Sequence, residues 1–303
     1  MDVRRLALLR ELAERGSVTA VADATGRTPS AVSQQLKLLE REAGLPLTER
    51  KGRGLILTSA GKALARTAAD IATAIERAQA VWDDFTAHPR GEVTLFVFQT
   101  AGKMFLPGML HAISSVPELT VTCTDAAPTA THDYADVAAD FDIVMTDSSG
   151  VSEDWRERGL VSVKLLREPL DIALPADHRL AGRRSLSPAD LVDETWIGVP
   201  PGLPFDVMLR QIEAVNGVPA RVEQRFYDNT IVEAMVAAGH GIAILPRFTT
   251  QTGLGLVTKP LTEVRASRVI SALMRPDRAE RPSVRLVVDA LRQQAEEIVT
   301  ARG

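Results

Sequence analysis

The sequence holds one cysteine, Cys123, among 303 residues. A single thiol excludes a disulfide framework and any thiolate metal cage drawn from one chain. No run of about 18 apolar residues occurs, so no apolar membrane-spanning helix is expected. The opening Met1-Asp2-Val3-Arg4-Arg5 lacks the apolar core of a signal peptide. These absences predict a soluble, cytoplasmic protein with no membrane partner. Catalytic signatures are missing too. The histidines His88, His111, His132, His178 and His240 show no metal-ligand spacing, and Gly239-His240-Gly241 lacks the third glycine of a dinucleotide loop. There is no nucleophile elbow, Walker loop or metalloprotease helix. The expectation is a non-enzyme that holds neither cofactor nor metal. Cys123 reads as an inert small apolar residue in a buried strand. Asp133, Asp136, Asp140 and Asp142 read as a solvated acidic patch.

The length suggests about two domains of roughly 150 residues, and 45% hydrophobic content supplies ample core. The net charge of −4 argues mildly against nucleic acid, but it averages two unlike parts. Residues 1–66 carry 12 Lys+Arg against 7 Asp+Glu, a balance of +5, which leaves −9 on the remaining 237. A basic head on an acidic body is a pattern that partners of one sign can produce.

Within the basic head, Asp2 is placed to cap a helix whose apolar residues Leu6, Leu9 and Ala13 recur at helical spacing. Gly16 suits its exit, and Ser17 can cap a short second helix with Val18, Val21 and Ala22 inward and a turn at Thr25-Gly26. Thr28-Pro29 reads as an N-cap followed by proline at the first helical position. The third helix then runs from Pro29 to about Glu42, burying Val32, Leu36 and Leu39, and ends at Gly44. Two short helices across a tight glycine turn describe a helix-turn-helix, which presents the start of its second helix to base edges in the major groove. Thr28, Ser30, Ala31, Ser33, Gln34 and Lys37 occupy that start and its polar side. Arg50-Lys51-Gly52-Arg53-Gly54, followed by the strand-like Leu55-Ile56-Leu57-Thr58, reads as a wing. Its cations Arg50, Lys51 and Arg53 would lie near phosphates or the minor groove. An ordinary three-helix bundle with a basic loop is the alternative.

The runs Gly16-Ser17-Val18-Thr19-Ala20-Val21-Ala22, Ser30-Ala31-Val32-Ser33-Gln34-Gln35-Leu36, Leu39-Glu40 and Leu57-Thr58-Ser59-Ala60-Gly61 resemble the LysR-type transcriptional regulators. Two departures stand out. Pro29-Ser30 replaces a frequent Gln-Pro, so a glutamine base contact does not transfer to Pro29. Thr48 replaces a usual phenylalanine, which implies different packing beneath the wing. The resemblance continues through Glu168-Pro169-Leu170, Asp177-His178-Arg179-Leu180-Ala181, Asp190-Leu191, Trp196-Ile197 and Gly239-His240-Gly241-Ile242-Ala243-Ile244-Leu245-Pro246.

Between head and body, Leu64, Ala68, Ile71, Ile75, Ala78, Trp82 and Phe85 follow alternating steps of four and three. That spacing is the a/d seam of a paired helix, although a helix docked on its own domain can carry a similar stripe. His88-Pro89-Arg90-Gly91 ends the helix. Strand-like runs at Glu92–Phe98, Leu119–Cys123, Phe141–Met145, Leu170–Leu174, Trp196–Val199 and Ile242–Leu245 alternate with helical stretches, which predicts α/β layers around a mainly parallel sheet.

The fold class expected is α+β multidomain. Residues 1–58 form a winged helix-turn-helix and 59–88 a dimerising linker helix. The resemblance further implies two α/β lobes like those of a type 2 periplasmic binding protein, with lobe one at 92–165 and 266–303 and lobe two at 166–265. It also implies a double-stranded DNA operator, a small-molecule effector between the lobes, a homodimer through the linker, a homotetramer, and RNA polymerase as a further partner. Ligands of open α/β sheets bind beyond the carboxyl ends of strands. That rule selects Gln99, Thr100, Ala101, Thr146 and Asp147 in lobe one, and Pro200, Gly202, Phe205, Asn229 and Thr230 in lobe two. Thr100 is expected to cap a helix whose free N–H groups welcome a carboxylate or phosphate. Two other readings of the lobes stay open: a ligand-independent repressor whose lobes serve only oligomerisation, and a solute-binding protein.

Overall fold

The computed structural model describes residues 1–51, 54–86, 90–125, 134–148, 155–253 and 255–302. Arg53, His88, His132 and Asp133 lie outside the described residues, as do the side chains of Lys51 and Phe85. The chain opens with three helices, α1 (Val3–Arg15), α2 (Val18–Thr25) and α3 (Pro29–Ala43). Each starts on a side-chain cap: Asp2 accepts from the Arg4 N–H, Ser17 from Ala20 and Thr28 from Ala31. Gly16, Gly26 and Gly44 close them in the left-handed conformation. Leu9, Val21, Val32, Leu36 and Leu39 make the small core.

Strands β1 (Thr48–Lys51) and β2 (Gly54–Leu57) form an antiparallel hairpin beside it. At Thr48 the contact with α3 is polar. Glu40 Oε1 accepts from the Leu47 N–H at 2.9 Å and from both the Thr48 N–H and hydroxyl at 2.8 Å. A polar clamp thus fastens the hairpin to α3.

Helix α4 (Ser59–Thr86) follows. Its apolar stripe is divided, not continuous. Leu64, Ala65, Ala68 and Ile71 pack onto the head core, while Ile75, Val81 and Trp82 are exposed. Three short helices cannot close their own core, so the first turns of α4 supply the missing wall.

The body begins with β3 (Gly91–Val97), α5 (Gln99–Ile113), β4 (Leu119–Asp125), α6 (Tyr134–Val137) and β5 (Ile143–Ser148). Then come β6 (Val161–Pro175), β7 (Thr195–Gly198), α7 (Pro204–Asn216), β8 (Arg221–Arg225), α8 (Asn229–Ala237), β9 (Ala243–Pro246) and β10 (Leu256–Pro260). The chain closes with β11 (Ser267–Met274), α9 (Pro276–Glu280) and α10 (Pro282–Arg302). One sheet runs β10-β6-β11-β5-β3-β4, with β9 also on β6.

The expectation of a mainly parallel sheet is corrected. Pairs β3–β4, β3–β5 and β7–β8 are parallel, whereas β6 is antiparallel to β9, β10 and β11, and β11 to β5. The chain leaves the first lobe along β6 and returns along β11, so these neighbours must run in opposite directions. The first part of β6 pairs with β11, and its last six residues pair with β9 or β10, three of them with both. Two α/β lobes result, one cored by Phe105, Met109, Ile270 and Leu291, the other by Trp196, Leu180, Leu209 and Ile244.

Among the acidic residues expected to be solvated, Asp142 is instead buried, accepting from the Thr94 N–H at 2.9 Å and Arg281 Nη1 at 2.8 Å. Cys123 is half-buried on β4, where burial pushes its thiol pKa up. Among the described residues, no helix is long and apolar enough to cross a membrane.

Gly61 sets the approach of α4 to the hairpin: a Cβ there would stand 2.0 Å from the Leu47 carbonyl oxygen. Gly61→Ala should therefore cost roughly 1–3 kcal/mol. Thermal unfolding checks this, with Gly182→Ala as a control that adds its methyl to open space and should stay within about 0.5 kcal/mol.

Candidate functional site: recognition helix, interlobe cleft and head–lobe junction

On α3, Thr28, Ser30, Gln34 and Lys37 are exposed, with Ala31 and Ser33 half-buried between them. The Thr28 and Ser30 hydroxyls lie 3.1 Å apart. The neighbouring Gln35 is turned inward, where its Oε1 accepts from Arg5 Nε at 3.1 Å. Arg50 is exposed on β1. Short polar groups on a convex helix face, flanked by a cationic hairpin, can enter a major groove without holding the backbone away.

A cavity of about 250 Å³ lies between the lobes. At its floor Arg268, on β11, is almost fully buried and stands opposite Glu168 in the β6–β11 ladder. Its Nε and Nη2 donate to Glu168 Oε2 at 2.8 and 2.6 Å, Nη1 donates to Asp147 Oδ2 at 3.0 Å, and Nη2 donates to Thr100 Oγ1 at 2.8 Å. The guanidinium carbon lies 5.3 Å from the ring centroids of both Phe98 and Phe205. Glu168 also accepts the Phe248 N–H at 3.0 Å. One buried carboxylate therefore ties β6 to β11 and to the segment after β9. Tyr134, across the cavity, approaches Asp147 with its hydroxyl at 3.4 Å. Burial first, and Asp147 next, hold that phenol protonated well above its usual range. Asp228 caps α8 and accepts Gln99 Nε2 at 2.8 Å, so hydrogen bonds from Thr230 and Gln99 hold its carboxyl below the usual range.

Of the residues selected by the strand-end rule, Gln99, Thr100, Asp147, Phe205 and Asn229 line this cavity. Ala101, Thr146, Pro200, Gly202 and Thr230 are not among its walls. Ala101 and Thr146 are buried in the first lobe, and Thr230 bonds to Asp228. Thr100 is not a cap. Phe98 holds the N-cap position of α5 without a side-chain hydrogen bond, and the Thr100 hydroxyl serves Arg268.

Arg268, Asp125, Tyr134, Tyr227 and Asp228 escaped the rule. A signal for Arg268 exists: it shares the alternation of Ile270 and Ala272, which places a charge on an apolar strand face.

A second cluster joins the head to the first lobe. Arg275, immediately after β11, is buried, with Nη1 3.2 Å from Glu11 Oε1 and 2.9 Å from Glu14 Oε2 on α1. Arg10 Nη1 donates to Asp277 Oδ2 at 2.9 Å, and Arg15 Nη1 to Asp140 Oδ1 at 2.6 Å. On α4, Arg77 Nε donates to Glu280 Oε1 at 2.8 Å. The single strand β11 thus starts at the cleft with Arg268 and leads to the head, where Arg275 follows its last residue.

Two family models match the chain: the bacterial regulatory helix-turn-helix protein of the lysR family over residues 3–62, and the LysR substrate binding domain over residues 86–296. The HTH-type transcriptional regulator CbbR of Xanthobacter flavus is 28% identical over 252 residues, covering 82% of this chain and 73% of that protein. The DNA-binding transcriptional dual regulator OxyR of Escherichia coli is 26% identical over 300 residues, 96% and 95% of the two chains. Among solved structures, a full-length OxyR variant from Pseudomonas aeruginosa superimposes with a TM-score of 0.66 at 18% identity, covering 96% and 98%. CbnR bound to its target DNA gives 0.53 at 23%, covering 97% and 100%.

Removing Arg268 strands two carboxylates. Arg268→Met should cost about 3–5 kcal/mol, measured by equilibrium urea unfolding.

At the junction, burial pushes the Glu14 carboxyl from 4.5 to about 7, with Glu11 and Asp277 adding to the rise against Arg10 and Arg15. A raised pKa means the folded state holds the extra proton, so this contribution is full below pH 4.5 and is lost as pH rises through about 7. Melting temperatures between pH 4.5 and 8 should fall less steeply in Glu14→Gln than in the parent chain.

Proposed function

The chain belongs to the family of LysR-type transcriptional regulators, and from that premise we propose how this member reads DNA and senses a small molecule. The family is one of DNA-binding regulators, not of enzymes. Its sequence-specific contact is assigned to Thr28, Ser30, Ala31, Ser33, Gln34 and Lys37 on α3, inserted into the major groove of a double-stranded operator. Arg50 and Lys51 of the hairpin would sit on the flanking phosphates; Arg53, assigned with them, lies outside the described residues. Two heads joined through the exposed second half of α4 would meet half-sites about 34 Å apart. The solved CbnR structure with its target DNA supports this use of the fold. A homotetramer, and RNA polymerase as a further partner, belong to the same proposal.

The effector occupies the cleft between lobe one, residues 92–165 and 266–303, and lobe two, residues 166–265. The observation that carries this reading is β11. A ligand that displaces Phe205 or Asp147 acts on Arg268, and Arg275 at the other end of the same strand holds α1. Lobe closure is thereby converted into a change in head angle, in which the ligand's differential affinity for the two arrangements supplies the coupling free energy.

The test is an operator titration on the full chain. Arg50→Ala should weaken binding on all sequences and lower the slope of log K against log salt by about 1. Gln34→Ala should relax discrimination at one base position, a change of about 1–3 kcal/mol. Arg275→Ala should leave non-specific DNA affinity unchanged while reducing the response to any ligand that shifts the melting temperature. A chain whose operator affinity responds to ligand equally with and without Arg275 would break the β11 coupling. If no ligand alters operator affinity at all, the ligand-independent repressor is the better description.

A further inference from the structure

We propose that the cleft is built for a small amphipathic cation, an ammonium group on a compact apolar body, and not for an organic anion. This rests on reading the cleft as the effector site. Three carboxylates, Asp125, Asp147 and Asp228, face the cavity, with Glu168 directly behind its floor. Arg268 is the one cation in the wall among the described residues, and it is already engaged. Nε, Nη1 and Nη2 together make four hydrogen bonds to Glu168, Asp147 and Thr100. A fork with five N–H donors that makes four such bonds has no bidentate edge left for a carboxylate ligand.

The helix N-termini that open onto the cavity would favour anions, but Asp228 caps α8 and lies beside the start of α5, and Asp206 lies in the first turn of α7. Asp228 accepts the Thr230 N–H at the start of α8 and the side-chain Nε2 of Gln99, the first residue of α5. Asp206, in the first turn of α7, accepts the Gly202 N–H and Arg225 Nη1. An incoming anion would meet carboxylates where it needs donors. An ammonium would meet Asp125 and Asp147 as acceptors, with Tyr227 and Leu203 to cover an apolar body. The volume, about 250 Å³, restricts that body to one small ring or short chain.

The experiment uses the full chain and shape-matched pairs of opposite charge: benzylamine with benzoate, and 2-phenylethylamine with phenylacetate. Titration calorimetry and thermal shift are read at pH 7 and constant ionic strength, where such amines are protonated. In each pair the ammonium is expected to bind at least tenfold more tightly than the carboxylate. Asp125→Asn, at a strand end, should narrow that ratio by about two- to fivefold. Tyr227→Ala, a change at a partly exposed wall, should weaken both members and so tie the binding to the cleft. If the carboxylate is the tighter member in both pairs and Tyr227→Ala still weakens it, the charge assignment is overturned and the cleft reading stands. Binding that ignores Tyr227→Ala and Asp125→Asn overturns the placement as well. No binding by any of the four compounds overturns the cleft as a site for ligands of this size and, with it, this proposal.

Discussion

The body depends on one buried ion pair. Glu168 and Arg268 face each other across the antiparallel ladder that carries the chain out of the first lobe and back. Burying two charges is costly unless each finds full hydrogen bonding, and here both do. The carboxylate takes Arg268 through two donors and the Phe248 N–H. The guanidinium adds Asp147 and Thr100. These bonds converge from β6, β11, β5, α5 and the turn after β9. The relative placement of the lobes, the floor of the cleft and the stacking of Phe98 and Phe205 therefore rest on the same few atoms.

The junction between head and body uses the same chemistry at lower burial. Arg275 and Arg10 are matched by Glu11, Glu14 and Asp277, and Arg15 by Asp140. Four of these, Arg10, Glu11, Glu14 and Arg15, are residues of α1, so part of the charge counted on the head is turned toward the body. On α3 itself Lys37 and Arg41 are offset by Glu40 and Glu42, so the net excess of the head lies outside that helix. The partition of charge along the sequence pointed to the right segment, and the fold then divides that segment again.

Local features were the legible ones. Asp2, Ser17 and Thr28 cap helices through bonds that reach only two or three residues, so the sequence displays donor and acceptor side by side. The Ser59–Thr86 helix likewise shows its whole length in an unbroken run without proline. What stayed hidden depends on long-range pairing. Glu168 and Arg268 are separated by 100 positions, and each looks like a surface charge until its partner is in place. The first half of β6 was missed for that reason, since Lys164, Arg167 and Glu168 break its apolar run. The strand-end rule found the cavity but not its parity. Thr146 and Asp147 are neighbours, and the pleat sends only Asp147 into the cleft. Thr100 misled because Phe98 begins α5 without a side-chain cap, which no residue pattern announces.

The close approach at Gly61 has a consequence for how relatives of this chain can vary. With α4 pinned at its first turn against Leu47, and again at Arg77 against Glu280, the stretch between behaves as a shaft clamped at both ends. Each residue added or lost there would rotate the far end by about 100° and shift it by about 1.5 Å. Insertions and deletions in this stretch should therefore be poorly tolerated, since even seven residues, two turns that nearly restore the phase, would shift the head by about 10 Å and part α1 from the first lobe. Loops elsewhere in the body are free of that constraint.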